Sequence, residues 1–134
     1  MNSRAKGARG ERQWRDELRA NGYRARRGQQ FSGSPESPDV ISDDLPWAHF
    51  EVKVVEKLNL YDAMEQALRD CGRKVPFLSH RRNHRPWLVT MTGEVFFRFL
   101  RGDLPPEGTR APVTAPEREE SKTTHQQIEP QQIG

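Results

Sequence analysis

The 134-residue chain has one cysteine, few aromatic residues (8%) and a hydrophobic fraction of only 33%. A single thiol, Cys71, excludes an internal disulfide framework and fits a reducing compartment. No apolar run approaches the roughly 18–20 residues that cross a bilayer. The basic opening segment MNSRAKGARG leads into no apolar signal core. There is no glycine-rich phosphate loop and no G-x-S-x-G elbow, so nothing points to an organic cofactor or a serine nucleophile. These absences lead us to expect a soluble protein of the cytoplasm with no membrane partner.

The shortage of apolar residues is uneven. Residues 103–134 hold six of the 44 hydrophobic residues and five of the ten prolines. Such a segment cannot bury enough surface to offset its ordering entropy. We therefore expect one folded domain over residues 1–102 and a flexible tail over 103–134. The body, with 38 hydrophobic residues among 102, suffices for one small core.

The formal charge of +3 conceals a pattern. Residues 1–27 carry +6, residues 36–56 carry −5, and residues 69–101 carry +6. Either basic block alone reads as a solvated face. An acidic centre between two basic arms is what a metal site set in a polyanion-binding surface requires.

Residues 6–21 read as an amphipathic helix with Trp14 and Leu18 on its apolar stripe and Gly22 as its stop. Tyr23 to Gln29 reads as a first strand, and Gly28 to Ser37 as a turn-rich loop. Pro38 leads into a short strand, DVIS; residues 43–46 form a turn, and His49 to Val55 is the clearest strand. Leu60, Met64, Ala67, Leu68 and Cys71 recur at helical spacing. Strands Val75–Ser79 and Trp87–Met91 follow, joined by the basic loop HRRNHR, and Thr92 caps a last helix that stops at Gly102. The order α-β-β-β-α-β-β-α implies an α/β fold, a mixed central sheet flanked by helices on both sides. Trp47, Trp87 and the phenylalanines Phe96, Phe97 and Phe99 are expected in the core.

A hairpin symmetric about Leu45 sets Asp39 opposite Glu51, with Cβ atoms about 5 Å apart. Within the second strand Glu51 and Lys53 share a face, while Phe50, Val52 and Val54 take the other. Two carboxylates that close raise one another's pKa unless a cation lies between them. Hard oxygen ligands without a nearby cysteine suit Mg²⁺ or Mn²⁺ better than Zn²⁺. Lys53 could stabilise charge on a phosphate or help position an attacking water. The same spacing also fits a surface hairpin whose Glu51 and Lys53 simply face solvent. Glu11 lies on the apolar stripe of the first helix, and a core-facing carboxylate needs a metal or a basic partner. Otherwise it reaches solvent or Arg15 from the edge of the stripe.

Pro38-Asp39 followed by Glu51-Val52-Lys53 resembles the PD-(D/E)XK signature of the restriction-endonuclease-like nucleases. With Lys6-Gly7 and Glu11 in the preceding helix and Gln66-Ala67 in the following one, residues 5–101 resemble archaeal-type Holliday junction resolvases and their small bacteriophage relatives. The resemblance implies a Mg²⁺- or Mn²⁺-dependent endonuclease of DNA recombination, working as a homodimer on branched DNA, in a bacterial host cell if phage-encoded. It implies that Asp39, Glu51 and the backbone carbonyl of Val52 bind the metal, that Lys53 is catalytic, and that Glu11 completes the acidic site. Phe31-Ser32-Gly33 resembles the serine-bearing loop of the resolvases, which would bring Ser32 to the scissile phosphate. Gln66 resembles a glutamine that follows the ExK motif in many relatives, although its helical phase lies off the apolar stripe.

Arg9, Arg12, Arg26, Arg27, Arg81, Arg82 and Arg85 are the expected phosphate contacts, which give affinity without reading bases. His80 and His84 read as loop residues without the partners of a zinc site. Two other functions fit the same residues: a DNA-binding protein that does not cut, and a nuclease of this fold that acts on other DNA shapes or on RNA.

Overall fold

A computed structural model describes residues 3–28 and 39–109. Its elements are α1 (Ser3–Ala20), β1 (Arg26–Arg27), β2 (Val40–Ile41), β3 (Ala48–Val54), α2 (Leu60–Asp70), β4 (Val75–Arg81), β5 (Leu88–Thr90) and α3 (Gly93–Leu100). Kind and order are those expected, and the five strands form one sheet in the order β1-β2-β3-β4-β5. The central pair, β3 with β4, is parallel, with α2 as its crossover, while every other pair is antiparallel. The chain is thus an α/β protein with a mixed sheet.

Local chemistry accounts for the helix ends. Gly22 adopts φ 92°, the left-handed conformation that glycine tolerates. The Tyr23 amide then bonds Leu18 O at 3.0 Å and the Gly22 amide bonds Arg19 O at 3.0 Å, which closes α1 in a Schellman turn. Asn59 caps α2 by accepting from the Asp62 amide at 3.1 Å. Thr92 Oγ1 caps α3 by accepting from the Val95 amide at 3.3 Å.

Alternation along β3 divides the core. Ala48, Phe50 and Val52 join Val75 and Phe77 of β4, Trp14 and Leu18 of α1, and Val95 of α3 in the main cluster. Trp14 stacks edge-on to Phe50 at 5.7 Å and tilts against Trp87 at 5.0 Å. Across the sheet, a smaller cluster sets Leu78 against Ala63, Met64 and Ala67 of α2. A Cβ on Gly10 would lie 3.0 Å from Val54 Cγ2. Glycine there allows α1 to press against β3, which brings Glu11 to the sheet.

Some boundaries differ from those read in the sequence. β4 continues through His80 and Arg81, because parallel pairing of Lys53 with His80 and Val54 with Arg81 uses the full length of β3. His80 is therefore a strand residue, not a loop residue; its Nε2 lies 2.8 Å from Thr90 Oγ1 on β5. Of the three phenylalanines on α3, only Phe99 packs against the core. Val95 and Phe99, four residues apart, take the inner face, which turns Phe96, Phe97 and Leu100 outward. Leu104 is buried with the main cluster, two residues beyond Gly102. Residues 110–134, most of the expected tail, lie outside the described residues. Among the described residues, no helix is long and apolar enough to cross a membrane.

Candidate active site

Val40 pairs with Phe50, the register of a hairpin centred on Leu45. Asp39 is held just before β2 by main-chain bonds on both sides: its amide donates to Phe50 O at 3.2 Å, and its carbonyl accepts from the Gly28 amide at 3.0 Å. Its carboxylate turns back onto β3, where Oδ2 accepts from the Val52 amide at 2.9 Å. Asp39 is thereby fastened to the two-residue span Glu51–Val52.

β3 presents His49, Glu51 and Lys53 on the face opposite Phe50 and Val52. Glu51 is only 4% exposed. Its Oε2 lies 3.9 Å from Lys53 Nζ and its Oε1 lies 3.8 Å from His49 Nε2. Burial, followed by the charge of Glu51, raises the Asp39 carboxyl from 3.8 to about 7. The Val52 amide and Lys53 pull it back only in part, and Glu11 adds to the rise. Two buried carboxylates that repel one another form a donor set to which a hard divalent cation is suited.

Glu11 is also buried, but its charge is answered by the sheet. Arg27 of β1 places Nε and Nη2 each 3.0 Å from Glu11 Oε1. The core-facing carboxylate thus has the basic partner that its position demanded, and Arg27, expected among the phosphate contacts, is paired with it while its side chain remains 37% exposed. Among the described residues, no group of three or more His, Cys, Asp or Glu side chains stands ready to hold a metal ion. Ser32 lies outside the described residues.

Gln66 shares a groove with Lys53 despite its helical phase. It lines a groove of about 480 Å³ together with Lys53, Lys57, Asn59, Asp62 and Arg69. A second cleft, about 590 Å³, lies across the β3–α2 connection and shares Val55, Lys57 and Leu58 with the first. Arg81, Arg82 and Arg85 line it beside His80 and Leu88. Arg82 and Arg85 are exposed there. Arg81 is committed to structure: Nη2 donates to Gln13 Oε1 at 2.7 Å, and its guanidinium lies 4.9 Å from the Trp87 ring centroid. Arg9 and Arg12 are exposed on α1, while Arg26 reaches Asp43 at 3.5 Å.

Two residues at this site escaped the reading of the sequence. His49 carries the period-2 signal of Glu51 and Lys53, and counting one step back along the strand would have found it. Lys57, shared by both grooves, sits in a connector whose path only the fold reveals.

No protein-family model matches the chain, and no curated protein matches it. Among solved structures it is similar to Hjc of Archaeoglobus fulgidus, a Holliday junction resolvase from an archaeal hyperthermophile, at 25% identity. The match covers 64% of this chain and 72% of that one, with a TM-score of 0.48.

Proposed function

We propose that the protein is a divalent-metal-dependent endonuclease that hydrolyses phosphodiester bonds in DNA, with a branched DNA such as a Holliday junction as its substrate. One observation carries this reading: Asp39 and Glu51 are held together on one face of the sheet with Lys53 beside them. Surface carboxylates at a solvent-facing hairpin would not be buried into mutual repulsion.

Asp39 and Glu51, with the Val52 carbonyl, would hold Mg²⁺ or Mn²⁺; the raised Asp39 carboxyl fits a site whose charge balance includes a cation. The bound ion would supply neutralising charge for the scissile phosphate and acidify a coordinated water. Lys53, one third exposed at the mouth of the site, offers its ammonium to the phosphoryl oxygens as they gain charge. Gln66 and Lys57 line the groove beside Lys53 and would orient the phosphate next to the cut. Arg82 and Arg85 would hold the backbone farther along. These contacts touch phosphates rather than base edges, as recognition of DNA shape requires.

A four-way junction presents two equivalent strands, which two copies related by a twofold axis would cut symmetrically. The outward face of Phe96, Phe97 and Leu100 is an exposed apolar surface that would serve a homodimer.

The test is cleavage of matched four-way, flap, nicked and linear DNA with Mg²⁺ or Mn²⁺. We expect junction cleavage by the wild type and none by Asp39→Asn, Glu51→Gln or Lys53→Ala, each still binding the junction in a salt-dependent way. Binding without cleavage by the wild type would identify a non-catalytic DNA-binding protein, and preferential cutting of RNA would move the substrate class.

A further inference from the structure

The polar face of β3 contains a third side chain that neither packing nor the signature residues explain. His49 is 1% exposed, and its Nε2 has no hydrogen-bond partner among the described residues. Leaving a buried polar nitrogen unpaired costs about 1–3 kcal/mol. A leucine at this position would avoid that cost and extend the small cluster around Leu78. The acceptor facing the nitrogen is Oε1 of Glu51, at 3.8 Å, just beyond hydrogen-bond reach. On its other side Glu51 offers Oε2 to Lys53 Nζ at 3.9 Å. Its carboxylate therefore stands between two donors, two residues back and two residues forward along the strand, and is hydrogen-bonded to neither.

We infer that His49 is a positioning residue for Glu51. With a divalent cation at the Asp39–Glu51 pair, the Nε2–H of His49 closes onto Oε1 and fixes the rotation of the carboxylate. Oε2 is then left to the cation and the Lys53 side. A ligating carboxylate commonly needs such an outer hydrogen bond, and losing it typically weakens metal affinity about 10–100-fold. Donation by Nε2 requires that the ring carry its proton there, which sets the tautomer. His49 touches neither DNA nor metal in this role and acts through Glu51. The inference rests on the proposed reading of Asp39 and Glu51 as metal ligands.

The first measurement is Mn²⁺ binding to the full-length protein without DNA, read from the loss of the free-ion EPR signal, for wild type, His49→Gln, His49→Asn and His49→Leu. A glutamine amide nitrogen reaches about as far as an imidazole Nε2, whereas that of asparagine reaches only as far as Nδ1. We expect His49→Leu and His49→Asn to weaken Mn²⁺ binding about 10–100-fold, and His49→Gln to stay close to wild type. Cleavage should follow the same order, with the deficit in the first two variants recovered at high Mg²⁺; a packing defect would instead lower the midpoint temperature of the metal-free variants and leave the Mn²⁺ affinity of the folded protein unchanged. Wild-type-like Mn²⁺ binding in both His49→Leu and His49→Asn overturns the inference while leaving the Asp39–Glu51 site standing. Absence of Mn²⁺ binding by the wild type overturns that site and this inference together.

A measurement on the wild type serves even if the variants fail to fold. Ring ¹⁵N shifts of His49 in the Mg²⁺-loaded protein should show Nε2 protonated and hydrogen-bonded. A ring protonated only at Nδ1 presents Glu51 with a lone pair and overturns the inference.

Discussion

The two faces of β3 differ in what they bury. One carries Ala48, Phe50 and Val52 into a cluster that includes Trp14, Phe77 and Val95. The other carries His49, Glu51 and Lys53, and behind them, among the described residues, Leu78 clusters with Ala63, Met64 and Ala67, with Leu58 alongside. The contrast teaches that stability and chemistry are separated by a single residue step along one strand. Aromatic packing on the first face holds β3 in place. That rigidity lets the second face keep two carboxylates closer than either would choose in water.

The largest effect that can test this separation is on activity. Glu51→Gln and Lys53→Ala should each lower junction cleavage by about a thousandfold or more, the equivalent of losing roughly 4 kcal/mol of transition-state stabilisation. If the faces are separable, the Glu51→Gln midpoint temperature should equal or exceed that of the wild type, because the substitution removes repulsion with Asp39. A cleavage-dead variant that also melts far below wild type would break the comparison.

The reverse lesion is Phe77→Ala. Phe77 contacts Phe50 at 5.9 Å, Trp47 at 5.9 Å and Phe99 at 6.2 Å between ring centroids. Its loss should cost about 3–5 kcal/mol, read by urea denaturation. Whatever protein remains folded should bind Mn²⁺ nearly as well as wild type, since Phe77 packs with the main cluster on the opposite face of the sheet.

The alternation that separates the faces was legible before any coordinates. The strand HFEVKVV states it residue by residue, and the symmetry about Leu45 fixed the register that brings Asp39 to Glu51. Gly22, Asn59 and Thr92 mark helix ends through local chemistry. What stayed hidden depends on contacts between distant segments. Nothing near Arg27 in the chain shows that it will be spent on Glu11. The extension of β4 into His80 and Arg81 follows from the length of its parallel partner. Gln66 reaches the Lys53 groove because of how α2 crosses the sheet, which helical phase alone does not reveal.

A third and smaller effect is the dependence of stability on pH. Asp39 is raised from 3.8 to about 7 by burial and by Glu51. A carboxyl whose folded pKa exceeds its unfolded value favours the fold while it is protonated. Its contribution is therefore fully present below about pH 4 and is lost as pH rises through about 7. We expect metal-free protein to lose thermal stability across that window, and Asp39→Asn to flatten the slope. Mg²⁺ at millimolar concentration should restore most of the loss at pH 8 and change little at pH 4. A slope of the opposite sign, or one indifferent to Asp39→Asn, would show that the polar face is not strained.

The smallest effect concerns how α2 stays closed over the thinner face. That helix buries Ala63, Met64 and Ala67, side chains that contribute less burial than the aromatic cluster opposite, so its first turn depends more on its cap. Asn59 satisfies the Asp62 amide at 3.1 Å, and Asn59→Ala should cost about 1 kcal/mol. The loss should stay local, with amide exchange at Tyr61, Asp62 and Ala63 about fivefold faster, which is what 1 kcal/mol of local opening yields. Exchange along β3 should be unchanged, because that strand is paired with β2 and β4 on its two sides. Equal acceleration in β3 and α2 would mean that the two faces unfold as one unit, and that the site borrows no separate rigidity from the aromatic core.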